Sequence, residues 1–448
     1  MLRRELSFLQ ATAINMIDMV GIGPFVTTAL VASTMGSSEG ALLAWLCGMV
    51  IALIDASVWS ELGAAMPKAG GSYAFLREAY GASTLGRLMS FLFVWQTTFQ
   101  APLVIASGAL GFATYAAFVT APLSPLESRA IAVGVILLLM ILLYRRVKAI
   151  GAISVVLWTC VIATMGWIIL SGIVSPTVAP LQTTSGIADG IAWNMLGAAL
   201  LPTVYSYLGY YNVCHLGAEV RNPERVIPRS MYVSIIGIGV MYLSMQWAIT
   251  HVLDAETIAR SPFVVSEMLS HVWGYNAGYI GTILILIVAI ASLFSVMLGY
   301  TRIPYAAAQD GLFFRVFAKE HPTGNFPHVS LLILGSVSMV FAATLTLGDS
   351  IKAIITMRVF TQFIAQAAGL MVLRRRVGAA NMPWRMWLYP LPVIATIAIW
   401  LWLFASADST RQLVGVVAPV VGALVYLVLA RRDGQWPFQS KEYSHDAH

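Results

Sequence analysis

The sequence predicts an all-α polytopic membrane protein with twelve transmembrane helices. The mean hydropathy is +0.80. Charged residues make up only 10% of the 448 residues, whereas soluble domains carry about 25%. Apolar windows of about 20 residues recur along the chain, and each is long enough to cross the hydrocarbon core of a bilayer. The lipid bilayer is therefore the expected surroundings, and the net charge of +6 is interpreted as topology rather than as nucleic-acid binding.

Hydropathy and segment length place the twelve spans along the chain. They cover 8–35, 40–66, 85–118, 128–145, 150–174, 188–217, 229–252, 276–308, 329–347, 351–373, 386–406 and 411–430. Because no gap between them has room for a large soluble domain, residues 1–432 are predicted to form a single transmembrane domain. The longest gaps, near 253–275 and 309–328, could hold short interfacial helices. Residues 433–448 are expected to form a polar cytoplasmic tail.

Basic residues set the predicted orientation. With both termini in the cytoplasm, five of the 26 Lys and Arg residues fall in the outer half and all the others in the inner half. The five are Arg129, Arg260, Lys352, Arg358 and Arg411. Cytoplasmic loops of membrane proteins carry an excess of Lys and Arg. The sequence therefore predicts an integral protein of the cytoplasmic (inner) membrane with both termini inside.

Two of the predicted spans are interrupted. The first contains Gly21, Gly23 and Pro24 within four residues, and both residue types weaken a helix. The overlong sixth contains Pro202 and then YSYLGYY with Gly209. Since the breaks lie five spans apart, a five-span repeat would start its second copy on the opposite side of the membrane. Glycine and proline are common in membrane helices, but paired breaks in two inverted halves are typical of a transporter's binding site.

Four stretches together resemble the amino acid–polyamine–organocation (APC) family, in particular the bacterial amino acid permeases. They are GIGPF in the first span, WSELGAAMPKAGGSYAFLREAYG at 59–81, GAEVRNPERVIPRS at 217–230 and GYTRIPYAAAQDGLFF at 299–314. The resemblance implies a leucine-transporter-like fold of two inverted five-helix repeats, at 8–174 and 188–376, followed by two further helices at 386–430. It also implies an amino acid or a related amine as substrate.

The broken helices offer backbone groups that a zwitterion can bind, because such groups need partners inside a membrane. The N–H groups that open the second half of span one lie at a positive helix end, which favours a carboxylate. Free carbonyls just before this break and at the break in span six can receive an ammonium group. The tyrosines of the second break either line the pocket or pack within the bundle. The expected substrate-binding residues are Asp18, Val20, Gly21, Ile22, Gly23, Phe25, Tyr205, Tyr207, Leu208, Gly209 and Tyr210.

Asp18 and Asp55 are candidate coupling or gate residues. An ionised acid inside a membrane is costly unless it is paired or hydrated, so its presence indicates a function. Arg302, near the inner end of span eight, is the expected cation for either acid. Two interpretations stay open: an ion pair that latches an inner gate, and a carboxylate that couples transport to protons.

The co-substrate is left open between a proton and sodium. Some proton-coupled members of the family carry a lysine in the middle of span five, and this chain has none there after Lys148. A sodium site would need oxygen ligands, some of which Ser292 and Ser295 could supply. Arg358 is expected to snorkel outward or to close an outer gate with Glu267.

The expected function is secondary active transport of amino acids, as a symporter or antiporter, by alternating access at the unwound segments of helices one and six. One alternative is transport of polyamines or other organic amines, although a multivalent amine would need several central acids. Another is a nutrient sensor with the same fold. No nucleophile, metal cluster or cofactor loop is recognisable, so no enzyme activity, catalytic residue, metal site, cofactor or nucleic-acid partner is expected.

Overall fold

The computed structural model describes residues 4, 6–68, 70–120, 123–144, 150–175, 193–322 and 326–438. Within these ranges every regular element is helical, and an isolated β-bridge joins Leu6 to Val220. The all-α prediction is therefore confirmed for this part of the chain. The predicted start of span six at 188–192 and the tail residues 439–448 lie outside the described residues.

The described residues form eighteen α-helices. The first seven are α1 (Phe8–Met19), α2 (Gly23–Met35), α3 (Ser38–Ala65), α4 (Ser72–Ala79), α5 (Leu85–Thr120), α6 (Pro125–Leu143) and α7 (Ile150–Val174). The next six are α8 (Trp193–Tyr207), α9 (Asn212–His215), α10 (Pro223–Val252), α11 (Ala255–Arg260), α12 (Val264–Trp273) and α13 (Tyr275–Gln309). The last five are α14 (His328–Thr344), α15 (Leu347–Arg358), α16 (Ala365–Val377), α17 (Leu391–Ala405) and α18 (Ser409–Arg432).

Seven helical segments of the described residues are long and apolar enough to cross a membrane: α3, α5, α6, α10, α13, α18 and the segment Leu347–Val377, which contains α15 and α16. Counted as one span, α1 and α2 give an eighth, which is bent by 53°. Trp158–Val174 in α7, together with α14 and α17, are shorter apolar helices. The break predicted in span one is thus present. The twelve-span count and the inverted repeat stay predictions.

Span ten differs from its predicted form. It begins at Leu347, four residues earlier than expected, and a π-helix at Val359–Ile364 separates α15 from α16. A π-helical turn often occurs at a functional site. In the gaps, α11 and α12 fall within the segment that was expected to hold interfacial helices, whereas α4 follows α3 as an additional short helix.

Two long helices organise the core around the breaks. α5 packs against α13, α14 and α15, while α3 packs against α10 and α8. A buried aromatic cluster lies where α3, α8 and α10 meet, with ring centroids of Trp45 and Tyr242 at 5.1 Å and of Tyr207 and Tyr242 at 5.3 Å. This packing holds the C-terminal end of α8 next to the break between α1 and α2.

Candidate functional site

The first break consists of Val20, Gly21 and Ile22, between the end of α1 and the start of α2. The Val20 N–H still bonds the Met16 carbonyl at 3.1 Å, so α1 ends normally. Pro24 lies in the first turn of α2, where a missing N–H costs nothing. Among the described residues, no acceptor bonds the N–H groups of Gly21, Ile22, Gly23 or Phe25. The positive end of α2 is therefore available to an anion.

The second break, between α8 and α9, touches the first through backbone atoms. Gly209 has φ +122°, a conformation that side chains other than glycine rarely adopt. A Cβ atom on Gly209 would lie 2.8 Å from the Asp18 carbonyl carbon and 2.9 Å from the Met19 nitrogen. Only glycine can be accommodated here, and it brings the two interrupted helices into direct contact.

Tyr242 of α10 contacts backbone atoms next to both breaks. Its hydroxyl lies 2.8 Å from the Met19 carbonyl oxygen and 3.2 Å from that of Ser206. The Tyr242 hydroxyl is therefore within hydrogen-bond distance of one carbonyl next to each break. The carbonyls of Tyr207 and Leu208 accept no hydrogen bond within the described part of the chain. Of these two residues Leu208 lines the cavity between the breaks, so its carbonyl remains for an ammonium group.

A cavity of about 80 Å³ lies between the breaks and helices α5, α13 and α15. The cavity is smaller than the pockets of about 300–1,000 Å³ that hold drug-sized ligands. Its lining is Asp18, Met19, Gly21, Ile22, Gly23, Val104, Gly108, Tyr205, Ser206, Leu208, Gly209, Tyr211, Ala289, Ser292, Leu293, Val296, Tyr300, Ile354 and Arg358. Seven of the eleven residues predicted to bind substrate are among them.

The other four predicted residues do not line the cavity. Val20 and Phe25 are buried, and the Phe25 carbonyl accepts a hydrogen bond from the Tyr115 hydroxyl at 2.8 Å. The Tyr207 hydroxyl donates to the Trp45 carbonyl at 3.2 Å, and Tyr210 donates to Asp55. For Tyr207 and Tyr210 the packing alternative is therefore the one the structure shows.

Arg358 is the cavity residue that the sequence analysis placed wrongly. Its side chain is 2% exposed; it neither snorkels outward nor pairs with Glu267. Nη2 donates to the Tyr300 hydroxyl at 2.7 Å, and Nη1 donates to the Tyr211 hydroxyl. Nε has no acceptor in the described residues. Because α15 starts early, Arg358 lies about 17 Å from the N-terminal end of that helix. A single charged residue so far inside an apolar span is the sequence signal that could have identified Arg358 as a functional residue.

Asp18 and Arg358 line the same cavity without forming an ion pair within 4.0 Å. The carboxylate of Asp18 has no hydrogen-bond donor among the described residues. The predicted partner Arg302 is exposed on α13 and pairs with neither acid in this part of the chain. A charge of each sign therefore faces the cavity, and each is open to a ligand.

Asp55 is buried on α3, away from the cavity. Its carboxylate accepts hydrogen bonds from the Tyr210 hydroxyl and from Trp400 Nε1, the latter at 3.2 Å. Both donors are neutral, and Asp55 forms no ion pair with Arg302 in the described part of the chain. The contact instead connects Asp55 to the second break, because Tyr210 lies in that break.

A buried ion pair does exist on the same helix, at Glu61, six residues after Asp55 in α3. Glu61 accepts two hydrogen bonds from Arg374 of α16, with Nη2 at 2.7 Å from Oε2, and the Met386 N–H donates to Oε2 at 3.0 Å. The Arg374 guanidinium lies 3.8 Å from the Tyr389 ring centroid. Side-chain exposures are 0% for Glu61 and 9% for Arg374, so this pair joins α3 to α16 away from water.

Of the two serines considered for sodium, only Ser292 lines the cavity. A Cβ atom on Gly21 would lie 2.7 Å from its Oγ, which places the hydroxyl directly against the first break. Ser295 is exposed. The described residues contain no group of three or more His, Cys, Asp or Glu side chains that could hold a metal ion.

A family model described as amino acid permease matches residues 6–429 of the chain. The chain belongs to this family. The resemblance read from the sequence motifs is thus confirmed, and the permease is an integral membrane protein of a family of transporters rather than of enzymes.

Three relatives align with almost the whole permease. The serine/threonine exchanger SteT of Bacillus subtilis (strain 168) is 23% identical over 438 residues, covering 96% of the permease and 98% of SteT. The methylthioribose transporter of the same organism is 25% identical over 447 residues, covering 96% and 94%. Its branched-chain amino acid permease BcaP is 23% identical over 460 residues, covering 96% and 94%.

Proposed function

We propose that the permease is a secondary active transporter that moves amino acids across the cytoplasmic membrane by alternating access. The substrate lies in the central cavity, held by the unwound segments between α1 and α2 and between α8 and α9. The observation that carries this proposal is the free N–H groups of Gly21, Ile22 and Gly23 beside the unpaired Asp18 carboxylate. The positive end of α2 binds a carboxylate, while Asp18 and the Leu208 carbonyl receive the ammonium group.

The proposed architecture is twelve spans, with inverted five-helix repeats at 8–174 and 188–376 and two further helices at 386–430. Breaks five predicted spans apart that meet in the structure support it, as does the family membership. The distribution of Lys and Arg supports a cytoplasmic location of both the N-terminus and the C-terminus. In such a fold, rocking of one helical unit against the other exposes the cavity to each side in turn.

Transport of polyamines is less well supported than transport of amino acids. A multivalent amine needs several acids, whereas Asp18 is the only carboxylate in the cavity lining described here. Arg358 adds a fixed positive charge that would repel such a substrate. A nutrient sensor with the same fold remains the alternative of another class, and an absence of substrate flux from liposomes would favour it.

Replacing Gly23 with leucine is expected to weaken substrate binding at least about tenfold, or roughly 1.4 kcal/mol. A Cβ atom there would lie 3.1 Å from Cε1 of Tyr205, so the larger side chain displaces that ring and covers the free N–H groups. Binding is measured as substrate-induced thermal stabilisation of the purified protein, with uptake into proteoliposomes for a panel of amino acids and polyamines.

Gly134→Leu is the matched control. It makes the same exchange at an exposed helix position where an added Cβ meets no atom within 4 Å. We expect it to bind and transport as the parent protein does. Undiminished substrate stabilisation in Gly23→Leu would place the site elsewhere, and stabilisation by polyamines alone would favour the amine alternative.

Asp55 is proposed as the carboxylate that couples transport to protons. Its hydrogen-bond donors are neutral, so no fixed cation opposes protonation, and Tyr210 transmits a change at Asp55 to the second break. In Asp55→Asn the ratio of pH-driven accumulation to substrate exchange is expected to fall at least about tenfold, because the asparagine amide cannot bind and release a proton as a carboxylate does. Both fluxes are measured in the same proteoliposomes.

Tyr210→Phe is the companion variant, since it removes one hydrogen bond and keeps the carboxyl group. We expect it to retain a pH-driven component, with a shifted pH dependence. If Asp55→Asn lowers accumulation and exchange by the same factor, Asp55 is structural and coupling must lie elsewhere, with Asp18 as the remaining acid of the two.

A further inference from the structure

Two separate sets of hydrogen-bond donors face the central cavity. One is the N-terminal end of α2, with the unpaired N–H groups of Gly21, Ile22 and Gly23. The other is the guanidinium of Arg358, which α15 contributes to the lining of the same cavity. The same lining contains a single carboxylate, that of Asp18, together with Leu208, whose carbonyl accepts no hydrogen bond in the described part of the chain. The cavity therefore offers two places for an anion and one region for a cation.

The Arg358 guanidinium is held in place but is not neutralised. Its two known acceptors are the hydroxyls of Tyr211 and Tyr300, which fix its orientation without supplying charge. Gln100 Nε2 lies 3.4 Å from the Tyr300 hydroxyl and helps to hold that ring. Nε of Arg358 is buried without an acceptor among the described residues, and leaving a buried donor of a charged group unsatisfied is destabilising.

A carboxylate of the substrate would satisfy this guanidinium. Nε and the neighbouring Nη form one edge of the planar fork, and this edge binds a carboxylate through two parallel hydrogen bonds. A substrate with one carboxylate can use only one of the two donor sets and leaves the other unpartnered in the cavity. A substrate with two carboxylates and one ammonium group satisfies all three.

We propose that Arg358 is a specificity-determining residue that binds a second, side-chain carboxylate, so that the preferred substrates are dicarboxylic amino acids. The α-carboxylate lies at the N-terminus of α2, the α-ammonium group at Asp18 and the Leu208 carbonyl, and the side-chain carboxylate at Arg358. This inference rests on the proposed amino acid transport and adds the class of substrate.

The test compares isosteric substrates that differ only in the second carboxylate. Thermal stabilisation of the purified full-length protein and competition in proteoliposomes are measured for L-glutamate against L-glutamine, and for L-aspartate against L-asparagine. We expect the wild type to prefer each acid over its amide at least tenfold. In Arg358→Gln this ratio is expected to fall at least tenfold, because the added amide cannot neutralise a carboxylate.

Lys352→Gln is the matched control, since it removes a positive charge from an exposed position on the same helix. It should keep the wild-type preference. Arg358→Lys keeps the charge but not the fork, and we expect an intermediate ratio. Should Arg358→Gln fail to fold, the wild-type comparison and the milder Tyr300→Phe variant, with an expected loss of selectivity of a few fold, still test the proposal.

The outcomes separate this inference from the function on which it rests. Equal affinity of the wild type for glutamate and glutamine would overturn the role of Arg358 and leave amino acid transport standing. An equal loss of both substrates in Arg358→Gln, with an unchanged ratio, would place the α-carboxylate at Arg358 and also overturn the inference. If no amino acid stabilises the wild type, the proposed function itself fails.

Discussion

Replacing Gly209 with alanine is expected to abolish substrate binding and transport. The added Cβ would lie 2.8–3.0 Å from backbone atoms of Asp18 and Met19, and these atoms cannot move without displacing the first break. The backbone at φ +122° adds strain of about 1–3 kcal/mol for a residue with a side chain. Both effects force the two breaks apart, so the donors and acceptors of the site no longer face one cavity.

Gly36→Ala separates the steric effect from the conformational one. Gly36 also has a positive φ, +65°, but an added Cβ there meets nothing within 4 Å. We expect it to lose about 1–2 kcal/mol of stability while it still binds substrate. The measurements are thermal unfolding in detergent and uptake into proteoliposomes. Gly209→Ala protein that transports at the rate of Gly36→Ala would contradict the assigned contact between the breaks.

Removal of the Glu61 carboxylate is expected to cause the largest loss of stability among single charge changes. Glu61→Gln leaves the Arg374 guanidinium buried without a counter-charge, which costs about 3–5 kcal/mol. It also weakens the hydrogen bond from the Met386 N–H. The thermal-unfolding midpoint of the purified protein should fall, and the link between α3 and α16 should loosen on the predicted cytoplasmic side.

The double variant Glu61→Gln with Arg374→Met tests whether the loss comes from an unpaired charge. Once neither charge is present, part of the stability should return, because a buried ion pair often contributes little net stability over apolar packing. Glu78→Gln is the surface control: its partner Lys68 is 62% exposed, and such pairs contribute about 0–1 kcal/mol. Additive losses in the double variant would show that Glu61 and Arg374 act independently.

Local signals in the sequence were sufficient to predict the all-helical class and the two breaks, although not the π-helix in span ten or α4. The first break is predicted by Gly21, Gly23 and Pro24, since each of these residues disfavours a continuous helix regardless of its surroundings. Gly209 does the same for the second break. The backbone part of the candidate site follows directly from these positions, and so does the presence of Asp18 in the cavity.

Partners from distant helices could not be predicted in this way. Asp55 bonds Tyr210 and Trp400 rather than Arg302, because its position on α3 points it toward the second break and α17. For Arg358 a four-residue error at the start of span ten was enough to place the side chain too far outward. Such contacts depend on how each helix is rotated and on where it starts, and a single sequence fixes both only to within a few residues.

The contact between the two breaks has a consequence for engineering the cargo. In the proposed binding mode, much of what every amino acid shares is recognised by main-chain atoms around Gly21, Gly23 and Leu208. Main-chain groups survive side-chain substitution, whereas Ser292, Ile354 and Arg358 present replaceable groups to the variable part of the substrate. Mutant libraries restricted to these cavity-lining side chains can therefore change which substrate side chain is accepted. Recognition of the α-amino and α-carboxylate groups by the main chain is kept.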